Sequence, residues 1–142
     1  MSLIRKATKE DIDWIVDIAI KDMFSLIGFT KGYNPSYLKN KLIPYLIDKG
    51  IVLVIKDYAV IVGSINQHPF NPNILTATEF MWWVREDKRN GSYGYKLLMK
   101  FEEIAKKKNV DFIALSLISS NNIKSLEKKG YRLNEFSFLK EV

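Results

Sequence analysis

The stretch RNGSYGYKLL, residues 89–98, lies between an apolar run, FMWWV at 80–84, and a segment of helical periodicity. The run before it is apolar at successive positions, as a strand covered on both faces is. After it Leu97, Leu98, Phe101, Ile104 and Ala105 recur at the spacing of an amphipathic helix, closed by Lys106, Lys107 and Lys108. A strand, a glycine-bearing loop and a helix thus follow one another directly. Such a junction can hold an anion, because first-turn amides lack intrahelical acceptors and the helix dipole adds partial positive charge. Glycine matters there because a phosphate oxygen can approach the backbone without meeting a Cβ. Gly91-x-x-Gly94 alone does not separate a phosphate cradle from an ordinary Asn-Gly turn, so the surrounding elements carry the decision.

Downstream, residues 111–117 (DFIALSL) read as another buried strand, and strand, helix and strand form a crossover unit with parallel strands. Ile123 to Lys129 reads as a short helix stopped by Gly130, and 131–139 as a last strand alternating through Leu133, Phe136 and Phe138. Upstream, the β-branched runs IVLVI (51–55) and YAVIVGSI (58–65) bracket a Lys56-Asp57 turn and predict a hairpin. QHPFNPN (67–73) reads as a loop and 74–84 as a long strand. Residues 3–7 make a short opening strand. Thr8 and Asp11 form a capping-box pattern ahead of Ile12, Ile15, Val16, Ala19, Met23 and Phe24, which mark a first helix. Residues 28–35 break it, and Tyr37, Leu38, Leu42, Tyr45 and Leu46 mark a second helix that contains Pro44. The expected fold is α/β, a single domain over 1–142 in the order β-α-α-β-β-β-α-β-α-β. Its central mixed sheet is mostly antiparallel, with helices over it.

Composition narrows the function. The chain has 142 residues, 47% of them hydrophobic and 13% aromatic, which suits one globular domain rather than disorder. No cysteine is present, so disulfides, thiolate metal sites and a cysteine nucleophile are excluded. A single histidine, His68, argues against a triad or a zinc site, and no metal is expected. No apolar run is long enough to span a bilayer and no signal-peptide layout opens the chain, so the expected setting is the cytoplasm, with no membrane partner. The net charge of +6 suits an anionic partner without choosing one. Lys106, Lys107, Lys108, Lys124, Lys128 and Lys129 fit solvated helix faces and C-termini equally well.

The span from Val84 through Arg89 and Gly91 to Gly94, with Leu97-Leu98 in the following helix, resembles the acyl-coenzyme A motif of the GNAT-type N-acetyltransferase superfamily. That motif reads Val-x-Pro-x-x-Arg-x-x-Gly-x-Gly/Ala. The element order matches along the whole chain, from Ile4-Arg-x-Ala-Thr-x-x-Asp-Ile12 to the Leu-Glu-Lys-Lys-Gly-Tyr at 126–131. The resemblance implies acetyl-coenzyme A as acyl donor, with the backbone of Trp82, Trp83 and Val84 pairing with the pantetheine arm like an added strand. Amides of Asn90, Gly91, Ser92, Tyr93, Gly94 and Tyr95 would hold the pyrophosphate, with Arg89 shaping the loop. The 111–117 strand would splay from Trp82 and Trp83 to admit the arm. Three departures stand out. Glu86 replaces the motif's proline. Ser92 replaces a glycine, adding a Cβ where phosphate approaches but also a hydroxyl that can cap the helix or bind phosphate. The family's Asn-x-x-Ala-x-x-Leu-Tyr falls on Ser119, Asn122, Ser125 and Leu126, so the tyrosine usually proposed as general acid is missing.

A missing acid does not remove catalysis. A departing thiol with pKa of about 8.5 needs little help, and losing a general acid costs about 10²–10⁴-fold, here at the low end. Fixing thioester and amine together can supply about 7–11 kcal/mol. Glu79 is the candidate base: a carboxylate between Thr78 and Phe80 in an apolar strand has its pKa raised by desolvation, unless it faces solvent. His68 is a lesser candidate in a Pro/Asn loop, more simply a surface residue, and Tyr131 and Tyr93 lie near Leu126 or the loop in sequence only. The aromatics Phe24, Phe29, Tyr33, Tyr37 and Tyr45 fall where this superfamily builds its acceptor site, although helical spacing makes core packing the main expectation. Trp82 and Trp83 should point to opposite faces.

The leading function is therefore transfer of an acetyl group from acetyl-coenzyme A to a primary amine of a small molecule, peptide or protein. The alternatives are a catalytically weak coenzyme A-binding regulatory module and, least favoured, a basic nucleic-acid-binding domain, for which no aromatic-basic motif exists. The acceptor and the oligomeric state, a homodimer included, stay open.

Overall fold

The computed structural model describes residues 3–28, 30–117 and 122–142. Its sheet has five strands in the order β1-β2-β3-β4-β5, with β1 at Arg5–Lys6, β2 at Ile51–Ile55, β3 at Ala59–His68, β4 at Asn71–Val84 and β5 at Phe112–Ala114. Neighbours pair antiparallel except β4 and β5, which run parallel, as a crossover requires. The expected hairpin forms about a turn in which Asp57 takes φ 67°, the left-handed conformation that aspartate tolerates.

Helix α1 occupies residues 9–27 and α2 residues 35–49, each with a wide π segment inside it, Ile15–Ile20 and Leu38–Leu42. The second segment explains how Pro44 is tolerated. It directly precedes Ile43–Lys49, placing the proline at the start of a fresh α segment, where the i→i−4 ladder is already interrupted. Helix α3 is Tyr93–Lys107 and α4 is Ile123–Lys128, the latter closed by Gly130 at φ 96°. Among the described residues no helix is long and apolar enough to cross a membrane.

The sheet is covered on both sides. Ile15, Val16, Ala19, Ile43 and Leu46 of α1 and α2 pack on Val52, Val54, Val60, Val62, Met81 and Trp83. On the other face Leu97, Phe101 and Ala105 of α3 pack on Leu53, Ile61 and Ala77. All of β2 is buried, which is why its sequence reads apolar throughout rather than alternating. The capping pattern at Thr8 holds: its amide donates to Asp11 Oδ2 at 2.8 Å. Burial works to raise the pKa of Asp11, but Arg5, the Thr8 amide and the Trp14 indole outweigh it and hold the carboxyl far below its ordinary range.

Three expectations are corrected. Residues 67–73 are not a loop, since β3 runs to His68 and β4 begins at Asn71, joined by a tight turn. The 111–117 strand pairs only over Phe112–Ala114. Residues 131–139 form no strand: Phe136 and Phe138 lie 76% and 95% exposed. Alternation offers one apolar face, but a strand exists only where a neighbouring backbone pairs with it, and β5 offers a ladder of three residues.

Candidate active site

The site is built where β4 loses a neighbour. β5 pairs with β4 at Thr76, Ala77 and Thr78 and goes no further, while β4 continues to Val84. Asp111 anchors the paired end, its amide donating to Leu75 O at 2.8 Å and its carboxylate accepting from Leu75 N at 2.9 Å. Beyond Thr78 the two strands part. The inner edge of β4 still pairs with β3, Trp82 opposite Ile61, Trp83 opposite Val60 and Val84 opposite Ala59. Among the described residues the outer edge over 79–84 has no strand beside it, so its backbone polar groups, apart from the Val84 carbonyl held by Arg89, are open to an extended ligand.

Glu79 sits at the point of parting. It is 5% exposed, and its Oε1 accepts from the Ser116 amide at 2.9 Å, so the carboxylate bridges the gap between the diverging strands. Burial pushes its pKa up to about 7, against the Ser116 amide, which works to lower it. The solvent-facing alternative for Glu79 is thereby corrected. A bulge makes the site's geometry: Val62 pairs with Met81 but Gly63 with Glu79, leaving Phe80 without a partner. That extra residue resets the alternation. Ala77 and Trp82 consequently share the α3 face although five residues apart, and Trp83 faces α1 and α2. The two tryptophans point to opposite faces as expected.

Each indole is used. Trp82 Nε1 donates to Gly94 O at 3.0 Å, holding the first turn of α3 against the strand end. A Cβ at Gly94 would lie 3.5 Å from Trp82 Nε1 and from Val84 Cγ2, so an alanine fits there and a larger side chain does not. The packing of the helix on the strand end thus limits this position to a small side chain. The first amide in the α3 ladder is that of Lys96, bonded to Ser92 O at 3.0 Å, so the N–H groups of Tyr93, Gly94 and Tyr95 precede it without intrahelical acceptors. Gly91, by contrast, donates to Lys88 O at 3.2 Å, so its amide belongs to the turn. Ser92 occupies the N-cap position without making a capping bond through its hydroxyl. An open depression of about 360 Å³ borders the loop between Lys88 and Tyr93.

Arg89 turns inward. Its Nε donates to Val84 O at 2.7 Å and its guanidinium meets Asp22 Oδ2 at 3.0 Å. Tyr58, beside the β2–β3 turn, anchors the loop from the other side: its carbonyl accepts from Arg85 N at 2.7 Å, and the Arg85 guanidinium lies 4.3 Å above its ring. Asp22, Tyr58 and Ser116 all escape sequence reading, since each acts on residues distant in the chain.

Other candidates fall elsewhere. His68 pairs with Asn71 at the far hairpin, about 17 Å along β3 from Gly63, and its Nδ1 accepts from the Phe70 amide. Tyr131 donates to Glu102 at 2.7 Å; burial and that carboxylate push its pKa up. Tyr93 packs against Tyr58. Phe24 and Tyr33 pack together at 5.8 Å against the α1/α2 core, but Tyr37 and Tyr45 are more than half exposed, a correction to their reading as core. Their helix buries the opposite stripe, Ile43 and Leu46. Phe29 and Ser119 lie outside the described residues. Among the described residues no cluster of three His, Asp or Glu could hold a metal. Arg5, Lys6, Lys100, Lys107 and Lys108 gather round a depression of about 270 Å³ beside β1, at the sheet edge opposite β5.

Comparison with known proteins agrees with this architecture. Among solved structures, a predicted acetyltransferase from Clostridium acetobutylicum, crystallised with acetyl-CoA, is 18% identical with TM-score 0.74, covering 96% of this chain and 94% of that one. Glucosamine-6-phosphate N-acetyltransferase from Arabidopsis thaliana is 17% identical with TM-score 0.69, covering 97% and 96%. An acetyltransferase from Trypanosoma brucei is 16% identical with TM-score 0.69, covering 98% of each chain. At such identities these likenesses concern the fold. No curated protein matches the sequence. The profile of the Acetyltransferase (GNAT) family matches residues 17–131, spanning α1 to the end of α4 and including the whole of the site described above, so the chain belongs to the GNAT acetyltransferase family.

Proposed function

We propose that the protein transfers an acetyl group from acetyl-coenzyme A to a primary amine of a small molecule, peptide or protein, by direct attack of the amine on the thioester. The observation that carries this reading is Glu79, buried at the opening between β4 and β5 with its pKa raised to about 7. A carboxylate poised near neutral pH can take a proton from an incoming ammonium or amine directly or through one water, which an ordinary carboxylate does poorly. Two further features support the donor's placement. The backbone edge at Trp82, Trp83 and Val84, where β4 has no β5 partner and only the Val84 carbonyl is engaged, by Arg89, suits the amide-bearing pantetheine arm. The free amides of Tyr93, Gly94 and Tyr95 suit a pyrophosphate, with Asn90 and Ser92 beside them.

The donor supplies the activated acyl group. The chain's own groups orient it along β4 and accept the amine's proton at Glu79. The new C–N bond forms as the C–S bond breaks, and the thiolate takes a proton from solvent. The Tyr131 hydroxyl is engaged by Glu102, the Tyr93 ring packs on Tyr58, and Leu126 holds the place of the family's tyrosine, so the thiol's own acidity carries the departure.

Calorimetry with acetyl-coenzyme A tests the reading first. Absence of binding at high micromolar ligand removes it. If the ligand binds, release of free thiol across a panel of small and peptide amines identifies an enzyme. Binding without release under any amine identifies a coenzyme A-binding regulatory module instead.

A further inference from the structure

We propose that Asp22 is a positioning residue for the acyl donor, a clip that ties helix α1 to the end of β4 and, through Arg89, sets the pyrophosphate loop. The proposal rests on the reading of residues 90–95 as the coenzyme A cradle. One oxygen, Asp22 Oδ2, accepts from Trp83 Nε1 at 2.8 Å and from the Arg89 guanidinium at 3.0 Å. The same guanidinium donates through Nε to Val84 O at 2.7 Å. Three elements are thus joined at one carboxylate: α1, the last turn of strand before the loop, and the loop's first residue.

The arrangement is more determined than a surface ion pair. Trp83 is 5% exposed and locked in the α1/α2 core, so its N–H direction is set by packing, and that direction sets the carboxylate. The carboxylate then fixes the guanidinium, whose planar fork can satisfy two acceptors at once. Arg89 is therefore held inward, its charge neutralised by Asp22. The anion-binding capacity of the loop comes from the free amides of the first turn of α3, and Arg89 acts on them by holding Val84 and the loop in register. A charge-assisted network only partly screened by solvent suits this task, since both charges remain about two-fifths exposed or less and neither is stranded if the loop shifts.

The test compares D22N, R89Q and the double variant with the wild-type chain, using acetyl-coenzyme A and S-acetylpantetheine, a thioester without pyrophosphate. D22N keeps an acceptor for the Trp83 indole while removing the charge that holds Arg89. The expected result is a KM and Kd for acetyl-coenzyme A raised about tenfold, the worth of one charge-assisted hydrogen bond. kcat should stay within about twofold. R89Q should match D22N, and the double variant should be no worse than either, because both act in one network. S-acetylpantetheine, which shares the pantetheine contacts at Trp83 and Val84 but lacks the pyrophosphate, should lose clearly less than acetyl-coenzyme A with each substitution. Equal losses with both thioesters would mean a general loosening of the strand end and would overturn the proposal, as would unaltered affinity in D22N or additive effects. Should D22N fail to fold, R89Q, on an exposed loop residue, carries the same expectation alone. A wild-type chain that binds no acetyl-coenzyme A overturns the cradle reading itself, a result separable from intact wild-type binding with an indifferent Asp22.

Discussion

The two halves of β4 have the same neighbour on one side and different surroundings on the other. From Asn71 to Thr78 the strand approaches and then enters a ladder with β5, and Asp111 holds the start of that ladder by two bonds to the Leu75 backbone. Over residues 79–84 the β3 ladder persists, the β5 ladder is gone, and a bulge at Phe80 intervenes. The first half is ordinary sheet. The second carries a buried carboxylate, both site tryptophans and an edge that, among the described residues, has no strand beside it. Backbone groups left open next to a covered core are costly unless something fills them, so in the proposed function the open half takes the acyl donor and the closed half holds it still.

Removing the carboxylate at the boundary should produce the largest effect. E79Q keeps an acceptor for the Ser116 amide but cannot take a proton, and turnover should fall by about 10²–10⁴-fold with acetyl-coenzyme A affinity retained. In the wild type, kcat/KM should rise with pH and level off above about 7, and E79Q should lose that limb. Unchanged turnover removes Glu79 as the base. The same residue couples stability to pH. Folding raises its pKa from 4.5 to about 7, so the native chain holds the proton more tightly than the unfolded chain. Its contribution is therefore most favourable below about 4.5, is lost as pH rises toward 7, and is constant above that. Thermal unfolding of wild type and E79Q should show a stability difference that shifts against the wild type across that window only.

Gly94→Phe should come next. The first turn of α3 rests on Trp82 and Val84, and a ring there would lift the helix from the open half, lowering acetyl-coenzyme A affinity by at least about tenfold. Gly94→Ala, meeting only ordinary contacts at 3.5 Å, should bind nearly as the wild type does. Retained affinity in the phenylalanine variant would refute the cradle.

The opposite perturbation acts from β3, at Gly63 opposite Glu79. A Cβ at Gly63 would meet Phe101 at 2.7 Å and Thr78 O at 2.9 Å, so Gly63→Ala should destabilise the fold by about 1–3 kcal/mol in denaturant titration. KM for the acyl donor should be little altered, and a large KM change would show that the two halves are not independent. Smallest of all, Ser92→Ala should leave donor affinity within about twofold, since the hydroxyl makes no capping bond. A tenfold loss would instead assign that hydroxyl to the phosphate.

Much of this contrast was legible in the residues. The hairpin, the parallel crossover and the α3 stripe of Leu97, Phe101 and Ala105 follow from local periodicity, because the burial pattern of an element is written at its own spacing. The capping pair Thr8–Asp11 and the raised pKa of Glu79 were readable for the same reason: both depend on immediate neighbours and on burial. What escaped depends on pairing at a distance. Alternation at Leu133, Phe136 and Phe138 suggested a strand that finds no ladder, and the prolines and asparagines of 67–73 suggested a loop where β3 and β4 instead continue to a tight turn. The π segments were invisible because an inserted residue in a helix changes the phase of burial without changing its apolar content.

By itself the sequence determined the class of fold and the order of strand, glycine loop and helix across residues 80–107, since these lie in one continuous stretch. Only the tertiary structure decided what holds that stretch in place. Asp22, Tyr58 and Ser116 reach Arg89, Arg85 and Glu79 across gaps of 27 to 67 residues, and a hydrogen bond of that kind exists only once packing has fixed both partners.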